Sequence, residues 1–307
     1  MLSISNSNLP SDFADTAVAI GKFDGVHLGH QQLIYELVNA AEDAGLAAAV
    51  LTFDRHPNAV LNPGTEPVPI IGPIQKARNL ESAGVDLLVT LPFDQELADL
   101  SPEEFVVQHL VPMRARLVLV GEGFRFGAKG SGDIGNLKQL GRKYGFSARE
   151  ISIVQMGETK VSSTEIRSAL ESGDVVRASV MLGRNHQTEG LVEHGRKIGR
   201  KIGFPTANLA RNSEGMLPAD GIYAGWLYAN GIRYPAAHSV GTNDSIEAVP
   251  RLLESHVIGR DDLDLYDQIV VCEYVEQVRP WAKFDSMEQL IDQIASDVAA
   301  CRKVLGE

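Results

Sequence analysis

The chain has 307 residues, 44% hydrophobic and 22% charged, which is room for two domains of ordinary size and the composition of a soluble globular protein. Its 28 lysines and arginines against 40 aspartates and glutamates leave a net charge of −12, which argues against general binding to nucleic acid or to an anionic membrane but allows a local basic pocket. The two cysteines, Cys272 and Cys301, have no metal-ligand spacing and suggest no disulfide framework; with no signal-peptide pattern and no apolar run near the about 20 residues that span a bilayer, a reducing cytoplasm is the expected compartment.

In chain order, residues 16–20, 47–53, 86–91 and 116–120 read as short buried parallel strands. Amphipathic stretches at 29–44, 73–83, 102–114 and 135–144 read as the helices between them. The third has a start signal, with Ser101 as N-cap, Pro102 at the first helical position and Glu104 completing a capping box. Strand and helix in alternation predict an α/β domain with a parallel sheet. Ser162 and Glu165 predict another capping box and helix start. Helical periodicity fades after about residue 186. Residues 222–229 and 232–240, joined by Asn230-Gly231, predict a hairpin with a tight primed turn. Further strands are expected at 252–258 and 268–278, then a helix over 286–305 opened by Asp285 and Glu288. The second half therefore reads as an all-β antiparallel barrel or sandwich closed by one helix. The expected domains are 1–185 and 186–307.

Two motifs carry chemistry. Gly-Lys-Phe-Asp-Gly-Val-His-Leu-Gly-His at 21–30 follows a strand and places His27 and His30 around Gly29 where a helix begins. A helix N-terminus offers unpaired N–H groups and partial positive charge to phosphates, and two imidazoles add donors. Such a device suits nucleotidyl transfer, which needs two phosphates held in line and no protein nucleophile. The start of the predicted helix at 162 is a second anion-binding terminus, with Ser162 and Arg167. In the second half, Gly195, Gly199 and Gly203 recur with Arg196, Lys197, Arg200 and Lys201 between them, a spacing poor for a helix. This segment reads as a basic loop able to cradle phosphate. Phe-Pro-Thr-Ala-Asn follows at 204–208, and in an extended segment Thr206 and Asn208 present hard oxygen ligands to one side, suited to Mg²⁺. Gly-Glu-Gly-Phe-Arg-Phe-Gly at 121–127 imitates a dinucleotide fingerprint, but its spacing is wrong and no helix start follows.

The 21–30 motif, with Thr-Phe-Asp-Arg-His-Pro (52–57), Leu-Pro-Phe-Asp-Gln-Glu-Leu-Ala (91–98), Leu-Ser-Pro-Glu-Glu-Phe (100–105), Val-Gly-Glu-Gly-Phe-Arg-Phe-Gly (120–127) and Val-Ser-Ser-Thr-Glu-Ile-Arg (161–167), resembles the adenylyltransferase half of bacterial bifunctional FAD synthetases. Gly-Arg-Lys-Ile-Gly-Phe-Pro-Thr-Ala-Asn-Leu (199–209) and Leu-Leu-Glu-Ser-His-Val-Ile (252–258) resemble their riboflavin kinase half. The resemblance covers almost the whole chain. It implies a Rossmann-like nucleotidyltransferase domain and a kinase barrel that convert riboflavin to FMN and FMN to FAD with ATP and Mg²⁺. It further implies that His27 and His30 contact ATP phosphates, with Gly21, Phe23, Gly29, Ser162, Ser163, Thr164 and Arg167 completing that nucleotide site. Phe53, His56, Pro57 and Phe124 would serve the flavin. In the kinase half, Gly195, Gly199, Gly203 and Pro205 would bind nucleotide, Thr206 and Asn208 the Mg²⁺, and Glu254 would act as base. Riboflavin, FMN and ATP are the implied partners of a monomer or weak homo-oligomer.

The chain departs from the family pattern in three places: Gly123, where Asp or Asn is usual; Glu165, where Arg is frequent; and Asp244-Ser245-Ile246, where Pro-Thr-Phe is usual. The alternatives these leave open are a chain with one activity weakened and a flavin-binding protein without turnover.

Overall fold

The computed structural model describes all residues except 153–154, 157–158, 195–197 and 243–250. The described chain divides into two compact units, one of residues 1–68 and 73–161, the other of residues 69–72 and 162–307.

The first unit is a six-stranded parallel sheet of β1 (Leu2–Ile4), β2 (Thr16–Ile20), β3 (Ala47–Phe53), β4 (Leu87–Leu91), β5 (Ala115–Gly121) and β6 (Ser147–Ile151), in the order β1-β4-β3-β2-β5-β6. All five residues of β2 are buried, as expected of a central strand covered on both faces. Helices α1 (Leu28–Ala44), α2 (Asn58–Leu61), α3 (Pro73–Ser82), α4 (Gln95–Asp99), α5 (Pro102–Phe105) and α6 (Ile134–Tyr144) join the strands. The predicted capping box at Ser101 is present in both directions, Ser101 Oγ accepting from Glu104 N–H and the Glu104 carboxylate from Ser101 N–H. The single helix expected over 102–114 is instead the short α5 followed by a π-helical turn at Val106–Leu110. The apolar residues of the strands form one core with Phe105, Val106, Leu110, Met113 and Leu137, and Phe53 and Phe124 pack against its edge. Chain order reverses on either side of β2, so β2 and β5 flank the topological switch point where open α/β sheets take ligands. A short antiparallel ribbon, β7 (Gln155–Met156) and β8 (Thr159–Lys160), follows β6.

The second unit holds α7 (Ser163–Glu171), α8 (Val175–Leu182), β9 (His186–Glu193), α9 (Ile198–Lys201), β10 (Thr206–Leu209), β11 (Gly221–Ala229), β12 (Ile232–Gly241), β13 (Leu252–Val257), β14 (Ile269–Pro280) and α10 (Met287–Leu305). Its six strands close into an antiparallel barrel, β10-β13-β12-β11-β14-β9, rather than a sandwich. The β11–β12 turn has Asn230 and Gly231 at φ +52° and +74°, the primed geometry that Asn-Gly encodes. Two cap assignments need correction. Ser286, not Asp285, caps α10, its hydroxyl accepting from Gln289 N–H. Ser162 caps α7, but the Glu165 carboxylate pairs with Arg177 instead of closing the box. The loop expected around Gly199 contains one helical turn, α9, and the chain then turns at Gly203 with φ +87°. Gly195 and Asp244-Ser245-Ile246 lie outside the described residues.

The barrel interior is partly polar. His186 donates Nε2–H to the Met216 carbonyl at 2.6 Å, His238 Nδ1 lies 2.9 Å from Ser255 Oγ, and the Tyr274 hydroxyl is 3.0 Å from Thr188 Oγ1. Burial pushes both histidines down to about 4 from an ordinary 6.5. A histidine depressed in the folded state is protonated more readily once unfolded, so acid draws the equilibrium toward the unfolded chain. The unfolding free energy of this unit is therefore expected to fall as pH drops from 6.5 toward about 5, above the carboxylate range. Denaturant titrations across that window check it; a flat profile would mean that both rings accept protons in place. Burial likewise pushes the free thiols of Cys272 and Cys301 up to about 12. Among the described residues no helix is long and apolar enough to cross a membrane.

Candidate functional sites in the two units

The first site lies where β2 runs into α1. Gly21 N–H still donates to Leu51 O in β3, and the backbone then bends through Phe23, Gly25 and Val26 at φ +49°, +87° and +41°. His27 caps α1: its Nδ1 accepts the His30 N–H at 3.3 Å, so the neutral ring carries its proton on Nε2 as a donor. The two imidazoles stack with centroids 3.7 Å apart, and His30 Nδ1 is buried with no hydrogen-bond partner among the described residues. Burial holds His30 well below its usual value, and His27, Lys76 and Lys22 add to the depression. Gly29 lies in the first turn of α1. Phe23 is fully buried with its ring 5.2 Å from His30, so what it can offer a nucleotide is backbone, not its ring.

The aromatic residues expected to serve the flavin lie at the carboxyl ends of β3 and β5. Phe53 ends β3 and meets Phe93 edge-on at 5.3 Å; Phe124 follows β5 and stacks with Phe126 at 5.6 Å. His56 Nδ1 accepts from Asn58 N–H, its Nε2 is 3.1 Å from Lys22 Nζ, and Pro57 opens α2. Gly123 has φ +73° with open space beside it, and its N–H donates to Glu150. Ser162, Ser163, Thr164 and Arg167 stand at the start of α7 and belong to the second unit, while His27 and His30 belong to the first. Lys76 was given no role by the motifs, because a lysine in an amphipathic helix carries no signal of its own.

The second site lies on the barrel. In β10, Thr206 and Asn208 alternate with buried Ala207 and Leu209, so the two polar residues share a face. The register with β13 sets Asn208 opposite Glu254 and Thr206 opposite His256. These residues line a cavity of about 320 Å³ whose other walls include Ile222 and Ser239 of the barrel, Trp281 and Phe284, and Leu290, Ile294 and Val298 of α10. Asn208 Nδ2 donates to the Thr206 carbonyl at 3.4 Å, which leaves its Oδ1 for a cation. His256 Nδ1–H donates to the Pro205 carbonyl at 2.8 Å and fixes the proline before Thr206. Burial raises the Glu254 carboxyl above its ordinary value, which makes its carboxylate a stronger proton acceptor. A Cβ on Gly199 would collide with the Phe204 carbonyl oxygen, so only glycine lets α9 fold back onto this segment.

The cavity has a wall that sequence reasoning missed. Arg279 at the end of β14 makes a bidentate pair with Asp297 of α10, at 2.8 and 2.7 Å, and Gln293 donates to the same carboxylate. Asp297 is 6% exposed and Arg279 21%. Asp297→Ala would strand the guanidinium, and the expected loss is about 3 kcal/mol of stability. Denaturant unfolding measures this, and an unchanged midpoint would show that the pair does not hold α10.

The parallel sheet with its histidine pair and the closed barrel with its Thr–Asn–Glu set define a two-part transferase. The FAD synthetase family model matches residues 9–165 and the riboflavin kinase model residues 182–305. The chain is 35% identical to the bifunctional riboflavin kinase/FMN adenylyltransferase of Bacillus subtilis over 288 residues, covering 92% of this chain and 90% of that one. It is 32% identical to the enzyme of the same description from Haemophilus influenzae, covering 93% of each, and 31% identical to that of Escherichia coli K12, covering 94% and 92%. The chain belongs to the bifunctional riboflavin kinase/FMN adenylyltransferase family. A solved structure described as a macrolide-efflux protein from Streptococcus pneumoniae has the same fold, with a TM-score of 0.88 and 31% identity over 98% of this chain and 99% of that one.

Proposed function

We propose that the chain performs two successive ATP-dependent transfers, phosphorylating riboflavin within residues 186–307 and adenylylating FMN through residues 1–185. The observation that carries the first step is the pairing of Glu254 with Asn208 at the wall of a cavity that also presents Ile222, Trp281, Phe284, Leu290, Ile294 and Val298. The isoalloxazine is placed against Ile222, Ile294 and Val298 and the ribityl chain toward Glu254. Glu254 accepts the proton of the terminal ribityl hydroxyl as its oxygen bonds to the γ-phosphorus, and ADP leaves. Thr206 and Asn208 would hold Mg²⁺, to which their oxygens are suited and whose shell is completed by phosphate and water. That ion would neutralise charge on the transferred phosphoryl group. Gly199, Gly203 and Pro205 shape the backbone on the nucleotide side, and Gly195 is assigned there too.

In the second step an FMN phosphate oxygen attacks the α-phosphorus of ATP, the bond to the β-phosphate oxygen breaks and pyrophosphate leaves. No side chain forms a covalent bond. Gly21, Phe23 and Gly29 supply backbone, and His27 and His30 supply donors where charge develops. Ser162, Ser163, Thr164 and Arg167 at the start of α7 are assigned to phosphate as a separate helix terminus. Phe53, His56, Pro57 and Phe124 receive the flavin. A cytoplasmic monomer or weak homo-oligomer acting on these small molecules fits the net acidic charge and the two buried free thiols.

Supplying riboflavin and FMN separately with Mg-ATP tests the pair of assignments. Riboflavin is expected to yield FMN and then FAD, and FMN alone to yield FAD. Asn208→Ala is expected to block only the first conversion. Product from one substrate alone would assign the chain a single working half, and flavin bound without ATP consumption would make it a binding protein.

A further inference from the structure

The bend between β2 and α1 is held against its own backbone preferences. Phe23 and Val26 adopt left-handed φ values on either side of Gly25, a conformation that surrounding contacts must impose. The Lys22 carbonyl at the head of the bend is gripped twice. Thr52 Oγ1 donates to it at 3.1 Å from β3, and the Lys76 ammonium donates to it at 3.0 Å from α3. Beyond the bend stand the stacked imidazoles, with the His30 ring against Phe23.

We propose that Lys76 is a positioning residue for adenylyl transfer: it fixes the Lys22 carbonyl, and with it the bend that presents His27 and His30, and it sets the positive field in which that pair meets the nucleotide phosphates. The inference rests on the adenylyl-transfer reading above. A hydrogen bond from an ammonium to a carbonyl is stronger than a neutral one and is shielded here by the half-burial of Lys76. The same charge acts on the histidines. Burial, His27, Lys76 and Lys22 all disfavour protonation of His30, while Asp24 and Asp54 act on Lys76 against the burial that lowers its own affinity for a proton. His56 adjoins the Lys22 ammonium. These charges disfavour the protonated form of His30, and a bound polyphosphate would act in the opposite sense.

The test uses the full-length protein with Lys76→Met, Lys76→Gln and Lys76→Arg. Lys76→Met is expected to lower kcat/KM for FMN adenylylation roughly 10- to 100-fold, the value of one charge-assisted hydrogen bond. It is also expected to raise the His30 titration midpoint, followed by NMR without nucleotide. Riboflavin phosphorylation in the same preparation should be unchanged, because its groups lie in the other unit, and the dispersed NMR spectrum reports that the substituted unit is folded. Lys76→Arg keeps donor and charge and should restore both readouts. Lys76→Gln keeps a donor without charge and should show the raised midpoint, and it decides the matter if the methionine variant does not fold. An unmoved midpoint in the uncharged variants, or wild-type FAD output from Lys76→Met, would overturn the proposal. Wild-type protein that makes no FAD from FMN would instead defeat the adenylyl-transfer reading, with the His30 titration still deciding whether Lys76 sets its field.

Discussion

Replacing Glu254 with glutamine is expected to lower riboflavin phosphorylation roughly 10²- to 10⁴-fold, the range over which a positioned general base acts. The change is nearly isosteric, so the cavity and the β10–β13 register should survive it. What it removes is the carboxylate facing Asn208. FMN adenylylation by the same protein should continue at its former rate, because none of its assigned groups lies on β13. The pH dependence carries a sign. Burial raises the Glu254 carboxyl, and a base works only when deprotonated. Wild-type kcat/KM for riboflavin should therefore fall as pH is lowered through a midpoint above the ordinary carboxylate value, and this limb should be absent from the residual activity of Glu254→Gln. A full rate with glutamine would remove Glu254 from the chemistry.

Replacing both His27 and His30 with alanine is expected to stop the sequence at FMN. Each donor to developing phosphate charge contributes on the order of 10²- to 10³-fold, and the two rings act on the same phosphates, so the double change should not be additive. The His27 cap of α1 is lost as well, at a cost of roughly 1 kcal/mol, which a melting curve would register separately. Riboflavin consumption should continue and FMN should accumulate. Chromatography of the flavins reads this directly, and undiminished FAD would show that the stacked imidazoles do not serve the second transfer.

Much of this architecture is legible in the sequence because its signals are local. The buried run at 16–20, the capping box at Ser101 and the Asn230-Gly231 turn each fix their own geometry within a few residues. The shared face of Thr206 and Asn208 follows from strand alternation alone. The register that sets Asn208 opposite Glu254 does not, since it depends on barrel closure across 46 residues of chain. The glycine spacing around 199 misleads for a related reason: helix propensity disfavours a turn there, but close approach to the Phe204 carbonyl requires it. The π-helical turn after α5 is a departure that amphipathic periodicity does not encode. Lys76 and the Arg279–Asp297 pair were invisible for the same reason as any long-range polar contact. A lysine in a helix and an arginine at a strand end look like solvated surface until the fold brings a carbonyl or a carboxylate to meet them.

The central claim is that two separate sites use ATP in two different ways, and labelled ATP tests it most directly. Riboflavin would be incubated with the protein, Mg²⁺ and ATP labelled either at the γ-phosphate or at the α-phosphate, and the flavins separated. The account predicts γ-label in FMN and in the FAD made from it, and α-label in FAD alone. Alpha-label in FMN, or FAD formed without it, would contradict the account.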